Sequence, residues 1–327
     1  MEQRDWGINF PIESLGDTHP LAIALKKEFK EMKPSIPSLG AYSKVTAGST
    51  IKGMGGWAEV SFNKETGAIN GLVDTLKRRT WAGDKNPLFE LKYQTLTLPD
   101  FNKWHLEYIV GANATSASGS NEYGKPASMM NAKPTPVSSL TTPVLEGVFI
   151  SPNKTEVIVI THMPQHLTEF YGAPERTVTK LNFSVQGEIQ AEVQLYNKTA
   201  TRLAEAMYVS FNPASDATSL DWSMEKLGSW IDPLDVADGG SKGLHCVTRL
   251  KASRADGGGS MLIDTPDAAL ARWDKPFPFP TPLYKEPDME LGLHMVLFNN
   301  MWNTNYPFWF PFDEADKDLQ FRFTLQF

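Results

Sequence analysis

Three neighbouring runs decide the fold: TEVIVITHM at residues 155–163, TKLNFSVQ at 179–186 and EIQAEVQLYN at 188–197. The first is packed with β-branched residues, and the other two alternate apolar with polar side chains, as a half-buried strand does. Working outward, similar runs recur in WAEVSFN (57–63), GVFISP (147–152), EAMYVSF (205–211), SMLIDT (260–265), HMVLFN (294–299) and LQFRFTLQF (319–327). Gly, Pro and Asn punctuate them. So many strands of this length predict an all-β fold of large sheets packed face to face, rather than a small immunoglobulin-like unit. No fixed-period repeat points to a propeller or solenoid.

One segment reads as helix. In HPLAIALKKEFKEM (19–32), Leu21, Leu25, Phe29 and Met32 recur at helical spacing, with Asp17 or Thr18 as the expected N-cap and Lys33-Pro34 as the stop. A short second helix is expected at 223–227. Residues 111–142 and 272–288 read as loops. The expected division is therefore 1–38, the end of a helical bundle with its linker, and 39–327, the β domain.

The chain has 327 residues and a formal net charge of −7, with no basic run, so a nucleic-acid role has no electrostatic footprint. No apolar run approaches the length of a membrane-spanning helix. The single cysteine, Cys246, has no internal partner and is expected as a small buried hydrophobe. The charged N-terminus is not a signal peptide. Sequons at Asn113, Asn153, Asn182 and Asn197 slightly favour a secretory or extracellular setting.

Several residues could carry chemistry. Asp232, Asp235, Asp264 and Asp267 are acidic pairs of the kind a glycosidase needs, but their Asp-Pro and Thr-Pro-Asp settings read as turns. Glu205 follows Arg202 by three residues, which suggests an ion pair. His162 and His166 are four apart, but Pro164 between them argues against a helix and against a metal site. The stretch FNNMWNTNYPFWFPF (298–312) combines seven aromatic rings with four asparagines. Rings stack on the apolar face of a sugar, and amides both donate to and accept from its hydroxyls. Asn299, Asn300, Trp302, Asn305 and Trp309 are thus candidate substrate-binding residues, with Arg202, Glu205 and His166. The alternative is a buried aromatic corner with turn-capping asparagines.

Taken in order, ETGAINGLVDTLKRRTWA, LKYQTLTLPDF, NKTATRLAEAMYVSF, LDWSMEKLGSWIDPLDVADGGSKGLHCV, IDTPDAALA and LGLHMVLFNNMWNTNYPFWF resemble the C-terminal part of family 38 glycoside hydrolases of the α-mannosidase type. The resemblance implies a galactose-mutarotase-like β-supersandwich that packs on a zinc-dependent α/β catalytic domain. It covers the end of the bundle and the β part. The expectation is therefore a chain with no cofactor of its own, inactive alone, that meets carbohydrate and associates with a separate catalytic polypeptide or a second copy. Two rivals stand beside it: a non-catalytic carbohydrate-binding or assembly sandwich, and a mutarotase- or lyase-like enzyme working in its own groove.

Overall fold

The computed structural model describes residues 2–108, 132–201, 203–215, 219–279, 286–300 and 317–327. Two ten-stranded antiparallel sheets face each other. The first runs in the order β1 (Ser43–Val45), β8 (Val144–Ile150), β9 (Glu156–His162), β10 (Arg176–Phe183), β11 (Ile189–Tyr196), β20 (Leu319–Gln326), β17 (Ser260–Asp264), β16 (Arg249–Arg254), β13 (Leu220–Lys226), β14 (Ser229–Ile231). The second runs β15 (Leu244–Cys246), β18 (Leu270–Trp273), β19 (Leu293–Asn299), β12 (Glu205–Phe211), β6 (Leu88–Thr95), β4 (Ile69–Asp74), β3 (Trp57–Phe62), β2 (Ile51–Met54). Strand β5 (Thr80–Ala82) pairs with β4, and β7 (Ser139–Thr141) with β6.

Alternation builds the core. Leu181, Phe183, Ala191, Val193, Leu195, Phe321, Phe323 and Leu325 point inward from the first sheet, against Leu91, Tyr93, Met207, Val209 and Met295 from the second. The runs that do not alternate are strands covered on both faces. On β9 and β10, Ile158, Ile160 and Val178 lie on the outer side under Leu39 and Tyr42 of the linker that follows the helices. Every residue of β12 is buried, because Leu244 and Leu270 pack on its outer residues Ala206 and Tyr208.

Four α-helices accompany the sheets among the described residues: α1 (Glu2–Leu15), α2 (Pro20–Glu31), α3 (Leu98–Tyr108) and α4 (Gln165–Tyr171). The expected helix is α2. Its cap is His19, whose Nδ1 accepts from the Leu21 N–H at 3.3 Å, while Asp17 pairs with Lys26. Helix α1, with Pro11 inside it, has no amphipathic period to announce it. Between residues 6 and 38 only Ile12 and Ala22 are buried, so this hairpin gains little from the sandwich. Leu21, Phe29 and Met32 are exposed, as are Trp6 and Phe10, which stack at 4.9 Å.

Three expectations are corrected. Residues 223–226 lie in strand β13, not in a helix: Trp222 and Met224 turn inward with strand period. Cys246 is exposed, because alternation along β15 sends its neighbours His245 and Val247 inward. Residues 139–141 and 272–273 belong to strands β7 and β18 rather than to loops. The glycine-rich segment 255–259 makes the turn of the β16–β17 hairpin.

Because the hairpin touches the sandwich so little, the Ala22→Glu variant should separate α1 from α2 without loosening the sheets. Circular dichroism should lose helical signal, while the main thermal transition should move by less than about 3 °C, roughly the effect of 1 kcal/mol in a domain of this size. A large drop in that transition would mean that the hairpin is part of the sandwich's cooperative unit.

Candidate functional site

The chain crosses from the first sheet to the second between Tyr196 and Glu205, and this crossover builds a buried polar cluster. Asn197 adopts φ 57°, a left-handed conformation that asparagine tolerates, and turns the chain so that Lys198 is buried. The Lys198 ammonium lies 2.5 Å from Glu205 Oε1, and both side chains are fully buried. It also donates to the carbonyls of Gly172 (3.1 Å) and Thr199 (3.3 Å), and sits 4.9 Å from the centre of the Phe298 ring. The other carboxylate oxygen of Glu205 accepts from the Tyr93 hydroxyl. Burial, reinforced by the adjacent Glu205 charge, pushes Tyr93 well above the usual tyrosine range.

Helix α4 closes the cluster from the side. Its C-cap, Gly172, has φ 71°, and a Cβ there would lie 2.4 Å from the Thr199 carbonyl, so only glycine fits. Tyr171, the last residue of α4, takes a hydrogen bond from Thr201 at its backbone carbonyl. Its hydroxyl meets the Val137 backbone. Asn300, just past β19, donates from Nδ2 to the carbonyls of Thr201 and Leu203, each at 2.8 Å, and from its backbone N–H to the Glu205 backbone carbonyl at 2.8 Å. Lys317 returns to the same place: its carbonyl accepts from the Lys198 N–H at 2.9 Å. Asn300, near the start of the aromatic run, and Lys317, beyond its end, are therefore both fastened to this cluster.

Of the candidates, Glu205 and Asn300 come together here, and Asn299 ends the adjoining strand, exposed. His166 does not join them. Pro164 caps α4 rather than preventing it, and His166 faces solvent while Leu167 and Tyr171 turn inward. His162 sits on β9, so the two histidines do not share a helix. Arg202, Trp302, Asn305 and Trp309 lie outside the described residues. Among the described residues, the cation beside Glu205 is Lys198, seven residues away; Tyr93 and Lys198 carried no signal of their own in the sequence.

Among the acidic pairs, Asp232 does make a turn, accepting from the Leu234 N–H at 2.7 Å. Asp267 does not: Thr265 caps that turn, and Asp267 holds Arg322 through Nε and Nη2 at 2.8 Å each. Among the described residues, no group of three or more His, Cys, Asp or Glu side chains could hold a metal ion.

A second polar group lies on the outer face of the second sheet. His294, buried, donates from Nε2 to the Asp274 carbonyl at 2.8 Å and accepts at Nδ1 from the Ser210 hydroxyl at 2.7 Å. Beside it, Arg272 donates to the carbonyls of Lys275 and Phe279. These bonds strap residues 274–279 over the sheet, and Phe279 stacks on Trp104 of α3 at 4.6 Å. Burial, followed by the charge of Lys92, lowers the His294 pKa to about 3.

These features define a large antiparallel β-sandwich whose crossover end is pinned by a buried ion pair. A family profile matches residues 1–190, and the chain belongs to that family, described as Domain of unknown function (DUF5054). No curated protein matches it. Among solved structures, a galactose mutarotase-like protein from Lactobacillus casei ATCC 334 is 10% identical, over 85% of this chain and 99% of its own, with a TM-score of 0.44. A putative aldose 1-epimerase from Escherichia coli K12 is 10% identical, over 85% and 98%, at 0.38. A 4-alpha-glucanotransferase from Thermococcus litoralis is 11% identical, over 92% of this chain and 41% of its own, at 0.42.

Two measurements follow. Glu205→Gln leaves the Lys198 charge buried without its counterion and should cost about 3–5 kcal/mol in denaturant unfolding, while adding Lys198→Met should restore much of it. A single variant as stable as the wild type would remove the pair from its structural role. His294 binds a proton in the unfolded chain below its ordinary value of 6.5 but in the folded chain only near 3. Its contribution is therefore complete above pH 6.5 and declines as the pH falls toward 3, by up to about 1.4 kcal/mol per pH unit. His294→Gln should flatten that slope; an unchanged slope would assign it to other groups.

Proposed function

We propose that this chain is a carbohydrate-binding β-sandwich whose crossover end faces the sugar, and that it turns nothing over by itself. The observation that carries the reading is the sealed Lys198–Glu205–Tyr93 cluster, to which Asn300 and Lys317 are both fastened. The asparagine- and ring-rich run between them starts and ends on a rigid base, as a recognition segment requires. Trp302, Asn305 and Trp309 are the proposed sugar-facing residues, with Asn299 and Asn300 behind them.

The same cluster argues against hydrolysis by this end of the fold. A glycosidic acid or nucleophile must reach the substrate, and Glu205 has no exposed surface and is bonded at both oxygens. In the finer form of the proposal, the sandwich completes the sugar site of an α-mannosidase-type catalytic polypeptide, as its resemblance to family 38 glycoside hydrolases implies.

The test is titration of the chain with linear and branched mannooligosaccharides, scored together with thermal stability. Trp302→Ala should weaken binding by about 1 kcal/mol, roughly fivefold, with little loss of stability. If the variant instead loses about 3–5 kcal/mol of folding stability and binds as before, the run is a structural corner and the reading fails. Turnover of sugar by the isolated chain would favour a mutarotase- or lyase-like enzyme instead.

A further inference from the structure

A separate groove crosses the outer face of the first sheet, with a volume of about 570 Å³. Strand register lays two rows of side chains across β9, β10, β11 and β20. One row reads Glu156, Asn182, Gln190, Thr324 and the next Ile158, Lys180, Glu192, Arg322. Three inter-strand steps make the floor about 14 Å wide. The linker after the helices supplies a wall through Pro37, Ser38 and Tyr42, and the Tyr42 hydroxyl donates to Glu156 at 2.7 Å.

We propose that this groove binds a short neutral oligosaccharide, at a site distinct from the crossover end. The proposal shares the ligand class of the reading above and rests on that reading only for this. Three features of the groove choose the occupant.

The four charged side chains lining it, Glu156, Lys180, Glu192 and Arg322, are two acids and two bases, so their formal charges cancel. They are also partnered on the protein: Lys180 with Glu192 at 3.3 Å, Arg322 with Asp267, Glu156 with Tyr42. An anionic ligand would have to draw Lys180 or Arg322 away from its carboxylate, whereas a neutral one leaves both pairs intact.

The groove lies over central strands whose backbone groups are spent on the sheet ladders, so an extended peptide cannot add here as a further strand. Recognition has to come from side chains. Exposed Asn182 and Gln190, at directly opposed positions, and the Thr324 hydroxyl beside them offer donors and acceptors together. Sugar hydroxyls match that mixture, and Pro37 and the Tyr42 ring give apolar surface for the C–H face of a pyranose.

The experiment is calorimetric titration of the chain with mannohexaose, maltohexaose and hexagalacturonate. The wild type should bind at least one neutral hexamer and bind the anionic one more weakly. The Asn182→Ala/Gln190→Ala double variant should lose about tenfold or more of the affinity at this site, and Thr324→Trp, which fills the groove from another strand, should do the same. Thermal melting should stay near the wild type, because the substituted side chains are on the outer face. Trp302→Ala should leave this affinity unchanged. Neutral hexamers binding equally well to both groove variants and to the wild type would overturn the proposal, as would tighter binding of hexagalacturonate. Binding lost only in Trp302→Ala would overturn the groove while leaving the crossover reading in place. No binding of any neutral hexamer would overturn both.

Discussion

The fold depends at one end on a lysine ammonium and a glutamate carboxylate buried together with no exposed surface. Removing two such charges from water costs several kcal/mol each, and attraction alone offsets this only when the remaining hydrogen-bonding capacity is also used. Here it is. Lys198 reaches Glu205 and two carbonyls, and Glu205 also takes the Tyr93 hydroxyl. The pair spans the passage of the chain from β11 in one sheet to β12 in the other. Asn300 and Lys317, the residues on either side of the return from β19 to β20, tie into the same backbone. A sandwich with only apolar contacts between its sheets could slide; a charge pair that fails if either partner moves fixes how the sheets meet at this end.

The outer faces divide the remaining work. On the first sheet the linker covers Ile158, Ile160 and Val178, and leaves the neighbouring rows as an open polar groove. On the second, the strap at 274–279 covers Arg272 and His294. Satisfying two polar side chains with backbone carbonyls holds that strap down without a large apolar area. The consequence is a histidine kept neutral, which makes the strap a point of acid sensitivity.

The strands were legible because burial on one or both faces leaves a direct mark on side-chain order, and residues 155–163, 205–211 and 319–327 all carry it. The helices were less so. Pro164 argues against a helix through His162 and His166, and none joins them, but nothing in the residue order showed that the same proline begins α4, where a missing N–H costs nothing. Helix α1 shows no period because most of it faces water. Residues 223–226 mixed polar and apolar side chains at a spacing that a short helix and a strand share, and tertiary pairing with β16 decided between them. In the site, Glu205 and Asn300 were found through their residue types. Lys198 was not, since a lysine beside a loop normally stays solvated, and only the fold shows that the crossover seals it in. Asp267 was misread because its partner, Arg322, lies 55 residues away.

The carboxylates bear on what such a sandwich can do. A glycosidic acid must keep its proton near neutrality, which requires an upward shift. Hydrogen bonding and pairing with Arg249 hold Glu225 below the usual carboxylate range. Burial pushes Asp267 up, but its bonds to Arg322 outweigh that and hold it low. Glu205 is fully buried against an ammonium at 2.5 Å, out of reach of any ligand. These acidic side chains are spent on holding strands and crossovers in place.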